Sequence, residues 1–161
     1  TLFPYTTLFR SLLHKSVREN SSMCRQGIPD YMITMRTPGE LIERVKHTVE
    51  DYPVSKWQQV ASPVWMDIDP SDTLQYMSAR EHDDERHICP LQLEVIRRGI
   101  DLWTNPGDVV LSPFAGIGSE GHVALQMGRR FVGVELKSSY YQQASKNLAR
   151  ALSLTQDLFA A

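Results

Sequence analysis

Apolar and glycine positions define one unit in the second half of the chain. Residues 109–111, Val-Val-Leu, follow the turn signal Asn-Pro-Gly, and so short an apolar run between turns is typical of a buried strand in a parallel sheet. Gly116 and Gly118 then supply backbone without a Cβ atom, where the chain can turn sharply and a ligand can approach closely. From Ser119 the pattern becomes helical. These residues predict a strand, a glycine loop and a helix whose free N–H groups can bind a polar ligand.

Helical and strand patterns alternate on both sides of this unit. Pro90 suits the first turn of a helix, and the apolar side chains after it recur at spacings of three and four, which predicts an amphipathic helix. They are Leu93, Ile96, Ile100 and Trp103. Residues 130–136 predict a second strand with Glu135 near its carboxyl end. A helix with a capping box at Ser139 is predicted to end before a frayed tail over 153–161. This alternation predicts an α/β fold.

The first half of the chain has weaker patterns. Residues 12–20 predict a helix, and the alternating apolar side chains of 30–36 predict a strand with one apolar face. Residues 40–84 contain three prolines and little periodicity, so we interpret them as a connecting or recognition segment with at most one short helix. Its aromatic side chains could stack on bases, although scattered Trp and Tyr residues more often belong to local core. They are Trp57, Trp65 and Tyr76.

The first eleven residues, T-L-F-P-Y-T-T-L-F-R-S, match the conceptual translation of a common sequencing-adapter oligonucleotide. We interpret residues 1–11 as an artefact to be excluded from the fold, the alternative being a natural β-prone N-terminus. On this interpretation the chain is a fragment, and the true N-terminal portion of its parent protein is expected to be missing.

The composition is that of an ordinary globular protein. The 161 residues are 42% hydrophobic and 22% charged, enough for one domain with a core, and the net charge of −2 gives no global nucleic-acid signal. Cys24 and Cys89 lie far apart, as expected for reduced thiols of a cytosolic protein. No apolar run approaches the ~20 residues of a membrane span, and no signal peptide is visible. The acidic, histidine and cysteine residues of 82–89 match no structural zinc spacing, so no metal site is predicted.

The glycine loop matches two families. Residues 116–121, G-I-G-S-E-G, satisfy the dinucleotide fingerprint G-x-G-x-x-G, with Glu135 roughly 20 residues on as an acceptor for the ribose hydroxyls. The longer string of 112–121, S-P-F-A-G-I-G-S-E-G, resembles the S-adenosylmethionine motif of the DNA amino-methyltransferases, commonly D-P-F-A-G-S-G-T-T-G. Ser112 replaces the usual Asp of that motif, and Ser119 stands where a Thr is common.

A second motif favours the methyltransferases. His87 and Pro90 match the H-x-x-P motif that precedes the glycine loop in DNA amino-methyltransferases of permuted order, where it contacts the methionine portion of the cofactor. A dinucleotide dehydrogenase has no reason to carry this motif. The chain is therefore similar to an N6-adenine or N4-cytosine methyltransferase whose cofactor motif lies near the C-terminus.

The resemblance implies a three-layer, Rossmann-like α/β methyltransferase fold, present here in part as a domain fragment over 12–152 with its cofactor-binding part over 86–152. It implies S-adenosyl-L-methionine as the cofactor, with no metal and no membrane contact. The residues implied to bind the cofactor are His87, Pro90, Ser112, Pro113, Phe114, Ala115, Gly116, Gly118, Ser119 and Glu135. The parent enzyme would methylate an exocyclic amino group of adenine or cytosine in double-stranded DNA, in the cytoplasm of a bacterium or of a phage-infected cell, as in restriction-modification.

Catalysis in this family uses a D-P-P-Y-like loop that holds the flipped target base. Asp69-Pro70-Ser71 lacks the second Pro and the aromatic residue, so we name no catalytic residue and expect the loop to lie N-terminal in the parent protein. The chain is then expected not to methylate DNA by itself. The alternatives are a nicotinamide-dependent Rossmann oxidoreductase and an inactive nucleotide-binding fragment. The target base, the DNA sequence and the oligomeric state are left open.

Overall fold

The computed structural model describes residues 30–40, 43–75, 79 and 90–159. The chain divides into two compact units, Thr1–Arg44 and Val45–Ala161. In the described part of the first unit, residues 30–36 form no strand and are exposed to solvent, so the strand predicted there is wrong. Alternating apolar side chains are not sufficient, because a strand also needs a hydrogen-bonded neighbour. The predicted helix over 12–20 and both cysteines lie outside the described residues.

The second unit contains a parallel two-stranded sheet and its crossover helix. Strand β1, Val109–Ser112, pairs with β2, Arg130–Gly133, in the register Val109↔Arg130 to Ser112↔Gly133. Parallel strands need a crossover connection, and this one contains the helix that follows the glycine loop. The described helices, in chain order, are α1 (Val54–Val60), α2 (Leu93–Trp103), α3 (Ser119–Gln126) and α4 (Ser138–Phe159).

The core lies on one face of this sheet. Ile96 and Ile100 of α2 and Val123 and Ala124 of α3 form a buried apolar cluster, against which four partly buried side chains pack. These are Leu93, Val110, Met127 and Phe131. The predicted apolar stripe of α2 is therefore confirmed over 93–100, whereas Trp103 at its end is 46% exposed. The opposite face of the sheet, with Leu111 and Val132, is exposed.

Residues 45–75 pack against α2 through Arg98, whose side chain is only 3% exposed. Arg98 donates hydrogen bonds to both carboxylate oxygens of Asp67, at 3.0 and 2.7 Å, and to Oε1 of Glu94 at 2.9 Å. Its guanidinium also lies over the ring of Trp65. The hydrogen bonds from Arg98, and then one from Gln59, hold the pKa of Asp67 well below its usual value. This segment contains one short helix, α1, as predicted for a connecting region.

Several predicted boundaries differ from the structure. Helix α2 begins at Leu93, after Pro90, and α4 begins at Ser138, so that Ser139 lies inside the helix and its hydroxyl caps nothing. Helix α4 continues to Phe159, into the tail predicted to fray.

Strand β2 ends at Gly133 rather than at residue 136, because β1 ends at Ser112 and the carbonyl of Val134 bonds to Ala115 in the loop that follows. No helix among the described residues has both the length and the apolar character to cross a membrane. Within the same part of the chain, no cluster of three potential metal ligands occurs.

Candidate functional site

The glycine loop, residues 113–118, connects β1 to α3 at the carboxyl end of the sheet. The N–H of Val134 donates to the carbonyl of Ser112 at 2.9 Å, and the N–H of Ala115 donates to the carbonyl of Val134 at 2.9 Å. Gly118 closes the loop by donating to the carbonyl of Ala115 at 2.7 Å. Ligands of open α/β sheets bind outside the carboxyl ends of the strands. The loop lies at that position.

Two glycines of the loop have backbone conformations that other residues rarely adopt. Gly116 has φ +53° and Gly118 has φ +82°. A Cβ atom built on Gly118 would lie 3.2 Å from the Cβ of Ala144 in α4, so this glycine allows close packing of loop and helix. A Cβ atom on Gly116 would meet nothing within 4 Å. Gly116 therefore borders open space, which a ligand can approach to the level of the backbone.

Glu135 lies beside this open space. Its Oε2 accepts a hydrogen bond from the N–H of Gly116 at 2.8 Å, and its Oε1 accepts one from the N–H of Lys137 at 2.9 Å. The carboxylate therefore holds the loop to the segment that follows β2. Each carboxylate oxygen has a further lone pair, so Glu135 can still accept hydrogen bonds from a ligand's hydroxyl groups.

The other predicted site residues divide by exposure. Ser112, Ala115 and Ser119 are buried in the strand end, the loop and the first turn of α3, while Phe114 is 88% exposed. Pro113 is also exposed. The buried residues shape the loop, and the exposed ones are available to a ligand.

Of the two residues of the predicted H-x-x-P motif, the structure describes only Pro90. Pro90 is partly exposed and precedes α2, and within the described residues no hydrogen bond joins it to residues 113–118. His87 lies outside them. The role of both residues at the cofactor stays a prediction.

Helix α4 contributes residues to the site that the sequence analysis missed. The side-chain N–H of Asn147 donates to the carbonyl of Ile117 at 2.8 Å, and Ala144 packs on Gly118. Leu136, between Glu135 and the start of α4, is 96% exposed although it is apolar. The contacts of Asn147 and Ala144 join positions far apart in the chain, and no local pattern indicates them.

One carboxyl group near the loop has a perturbed pKa. Burial raises the pKa of Glu120, in the first turn of α3, above its usual value. Negative charge near a helix N-terminus is normally favoured, so desolvation outweighs that attraction here. The raised pKa expresses the cost of burying the charged form of this side chain beside the loop.

Comparison with known proteins gives the family of the chain. A family model described as DNA methylase, for the N6 and N4 enzymes, matches residues 18–146. The type II methyltransferase M1.MboII of Moraxella bovis is 28% identical over 127 residues, which are 69% of this chain and 45% of that protein. The DNA adenine methyltransferase YhdJ of Escherichia coli K12 is 39% identical over 64 residues, 40% of this chain and 22% of the relative.

A solved structure supports the same assignment. TTHA0409 of Thermus thermophilus, in complex with S-adenosyl-L-methionine, superposes with a TM-score of 0.54 and is 27% identical. The match covers 78% of this chain and 49% of that one. The chain thus spans less than half the length of these relatives. Its fold is a partial Rossmann-like methyltransferase fold, and the chain belongs to the DNA methylase family of the N6 and N4 amino-methyltransferases.

Proposed function

We propose that this chain supplies the S-adenosyl-L-methionine-binding part of an enzyme that methylates an exocyclic amino group of adenine (N6) or cytosine (N4) in double-stranded DNA. The observation that supports this most directly is the open space over Gly116 beside the carboxylate of Glu135. Family membership favours this cofactor over a nicotinamide dinucleotide. We further propose that the parent enzyme, bacterial or phage-encoded, acts in the cytoplasm of a bacterial cell.

The residues present fit such a cofactor. Gly116 leaves room for close approach to the backbone, and Glu135 keeps lone pairs for the two ribose hydroxyls. Because the N-cap of α3 is Gly118, no capping side chain competes for the N–H groups of the first helical turn. Exposed Phe114 and Leu136 offer apolar contacts on either side. When bound, the cofactor supplies a methyl group on sulfonium, activated for transfer to nitrogen.

Methyl transfer also needs polar groups within about 3 Å of the target amino nitrogen, and this sequence has no recognisable loop that provides them. We propose that the rest of a complete methylase supplies that loop and the contacts to DNA. The exposed apolar face of the sheet, with Val109, Leu111 and Val132, supports this proposal. Parallel sheets are normally covered on both faces, and a further layer of a complete enzyme would cover this one.

A calorimetric comparison of cofactors tests the binding proposal. We expect the purified chain to bind S-adenosyl-L-methionine and not NAD. Glu135→Ala should weaken binding by about 1.5–3 kcal/mol, the range for hydrogen bonds to a charged group. Asp108→Ala is the matched control, because Asp108 also accepts a backbone hydrogen bond, from Asn105 at 2.7 Å, but at the opposite end of β1.

The control should lose stability and keep its affinity for the cofactor. A preference for NAD would contradict the proposed function. Unchanged affinity in a folded Glu135→Ala variant would show that Glu135 neither contacts the ribose nor holds the loop in the conformation that binds the cofactor.

A further inference from the structure

The carbonyl of Ile117 is the point at which helix α4 holds the glycine loop. Ile117 lies between the two glycines of positive φ and is only 4% exposed. Its carbonyl accepts the 2.8 Å hydrogen bond from Nδ2 of Asn147. A buried carbonyl without a partner would cost stability. The Asn147 side chain supplies the donor for this one.

Asn147 has two further neighbours, of which Gln143 fixes its side-chain amide and His122 contacts only its backbone carbonyl. Its Oδ1 accepts a hydrogen bond from Nε2 of Gln143 at 3.0 Å, one turn earlier in α4. The Nδ1 atom of His122 in α3 lies 3.1 Å from the backbone oxygen of Asn147. Because Oδ1 faces an amide donor, Nδ2 must face the carbonyl of Ile117. Asn147 therefore connects α3, α4 and the loop in one defined orientation.

The loop is thus held from two sides. Glu135 binds the N–H of Gly116 from the end of β2, and Asn147 binds the carbonyl of the next residue from α4. Only one peptide unit separates these attachments, so a shift of Ile117 moves Gly116 and the open space above it. We propose that Asn147 is a positioning residue for the cofactor, acting through the loop and not by touching the ligand. This inference rests on the proposed cofactor-binding function.

Asn147→Asp tests the proposal with almost no change in shape. The aspartate replaces the N–H donor by a carboxylate oxygen that faces the carbonyl of Ile117, so the loop should shift. We expect S-adenosyl-L-methionine to bind about tenfold more weakly or worse, the effect of losing one hydrogen bond and adding repulsion. Asn147→Gln keeps an amide donor, and its affinity should lie between those of the aspartate variant and the wild type.

His122→Ala is the matched control. It removes a contact to the backbone of Asn147 between the same two helices, yet it leaves the hydrogen bond to Ile117 in place. Urea denaturation of all variants gives the loss of stability, and calorimetry gives the affinity. We expect His122→Ala to lose stability while its affinity stays within about twofold of the wild type, because the His122 side chain contacts the backbone of Asn147 and the hydrogen bond to the loop is kept.

The outcomes separate this proposal from the proposed function. If the wild-type chain does not bind S-adenosyl-L-methionine, the proposed function fails first. If the wild type binds and Asn147→Asp binds equally well, Asn147 does not position the loop. If affinity falls in proportion to stability for Asn147→Asp and His122→Ala alike, the role is structural only, and the proposal is overturned.

Discussion

Gly116→Ala separates the fold of the glycine loop from its function. Gly116 and Gly128 both have positive φ, +53° and +75°. At both positions an added Cβ atom would meet nothing within 4 Å. Both substitutions should therefore strain the backbone to a similar degree without creating a steric clash within the protein. They differ in place, because Gly116 lies in the proposed cofactor loop and Gly128 lies just after α3.

The expected magnitudes follow from these two facts. An alanine in the left-handed conformation costs roughly 1–2 kcal/mol, offset in part by the lower entropy of the unfolded chain, so each variant should lose about 1 kcal/mol of stability. At Gly116 the new methyl group also enters the space assigned to the cofactor. Overpacking by one methyl group typically costs about 1–3 kcal/mol, or roughly 5- to 150-fold in Kd.

The assay is a pair of measurements on each variant. Urea denaturation should show similar losses of stability for Gly116→Ala and Gly128→Ala. Calorimetric titration with S-adenosyl-L-methionine should show weakened binding for Gly116→Ala alone. Wild-type affinity in a folded Gly116→Ala protein would refute the assignment of this space to the cofactor. Equal weakening in both variants would show that affinity follows stability and not the loop.

Two further predictions concern charged groups. Arg98→Met should lower the free energy of unfolding by about 1.5–3 kcal/mol, the range for buried hydrogen bonds to charged groups, as measured in urea. Because Arg98 lowers the pKa of Asp67 in the folded state, wild-type stability should fall as the pH drops below about 4. In the Arg98→Met variant this fall in stability should be much smaller. Burial raises the pKa of folded Glu120. The stability that the protonated side chain contributes is therefore lost as the pH rises from its unfolded pKa, about 4.3, through the folded value. Thermal denaturation of Glu120→Gln should show no such loss, and its advantage over the wild type should grow between pH 4 and pH 7.

Local sequence patterns predict the β1–α3–β2–α4 unit well. Apolar runs, turn residues and helical spacing act over a few neighbouring positions, and the structure contains both predicted strands and the helices between and after them. The end of β2 was not predictable in this way. Val134 donates to the carbonyl of Ser112 at the end of β1 and accepts from Ala115 in the loop, and these two partners lie some twenty positions earlier. The strand prediction over 30–36 was wrong for the same reason, because a strand forms only beside a partner, and the sequence of the segment does not specify that partner.

The candidate site shows the same division between residues that a local pattern indicates and residues that act through distant contacts. Gly116, Gly118 and Glu135 could be identified because their order and spacing reproduce a motif, and the structure joins Gly116 to Glu135 by a direct hydrogen bond. Asn147 could not be identified, since its contact to Ile117 spans thirty residues and asparagine within a helix has no fixed role. Ala144 could not be identified either, because the role of this small helical residue is visible only from its close contact with Gly118.

The anchoring of the loop bears on the proposed division between cofactor binding and methyl transfer. The hydrogen bonds described for the glycine loop end within the loop itself, on α3, on the segment between β2 and α4, or on α4. These supports lie within one continuous stretch of chain. Under the proposed function, cofactor binding and the chemistry at the target base would therefore reside in different parts of the parent enzyme. Substitutions in this stretch should then change affinity for the cofactor first, and their effects on the methylation rate should follow from occupancy of the site.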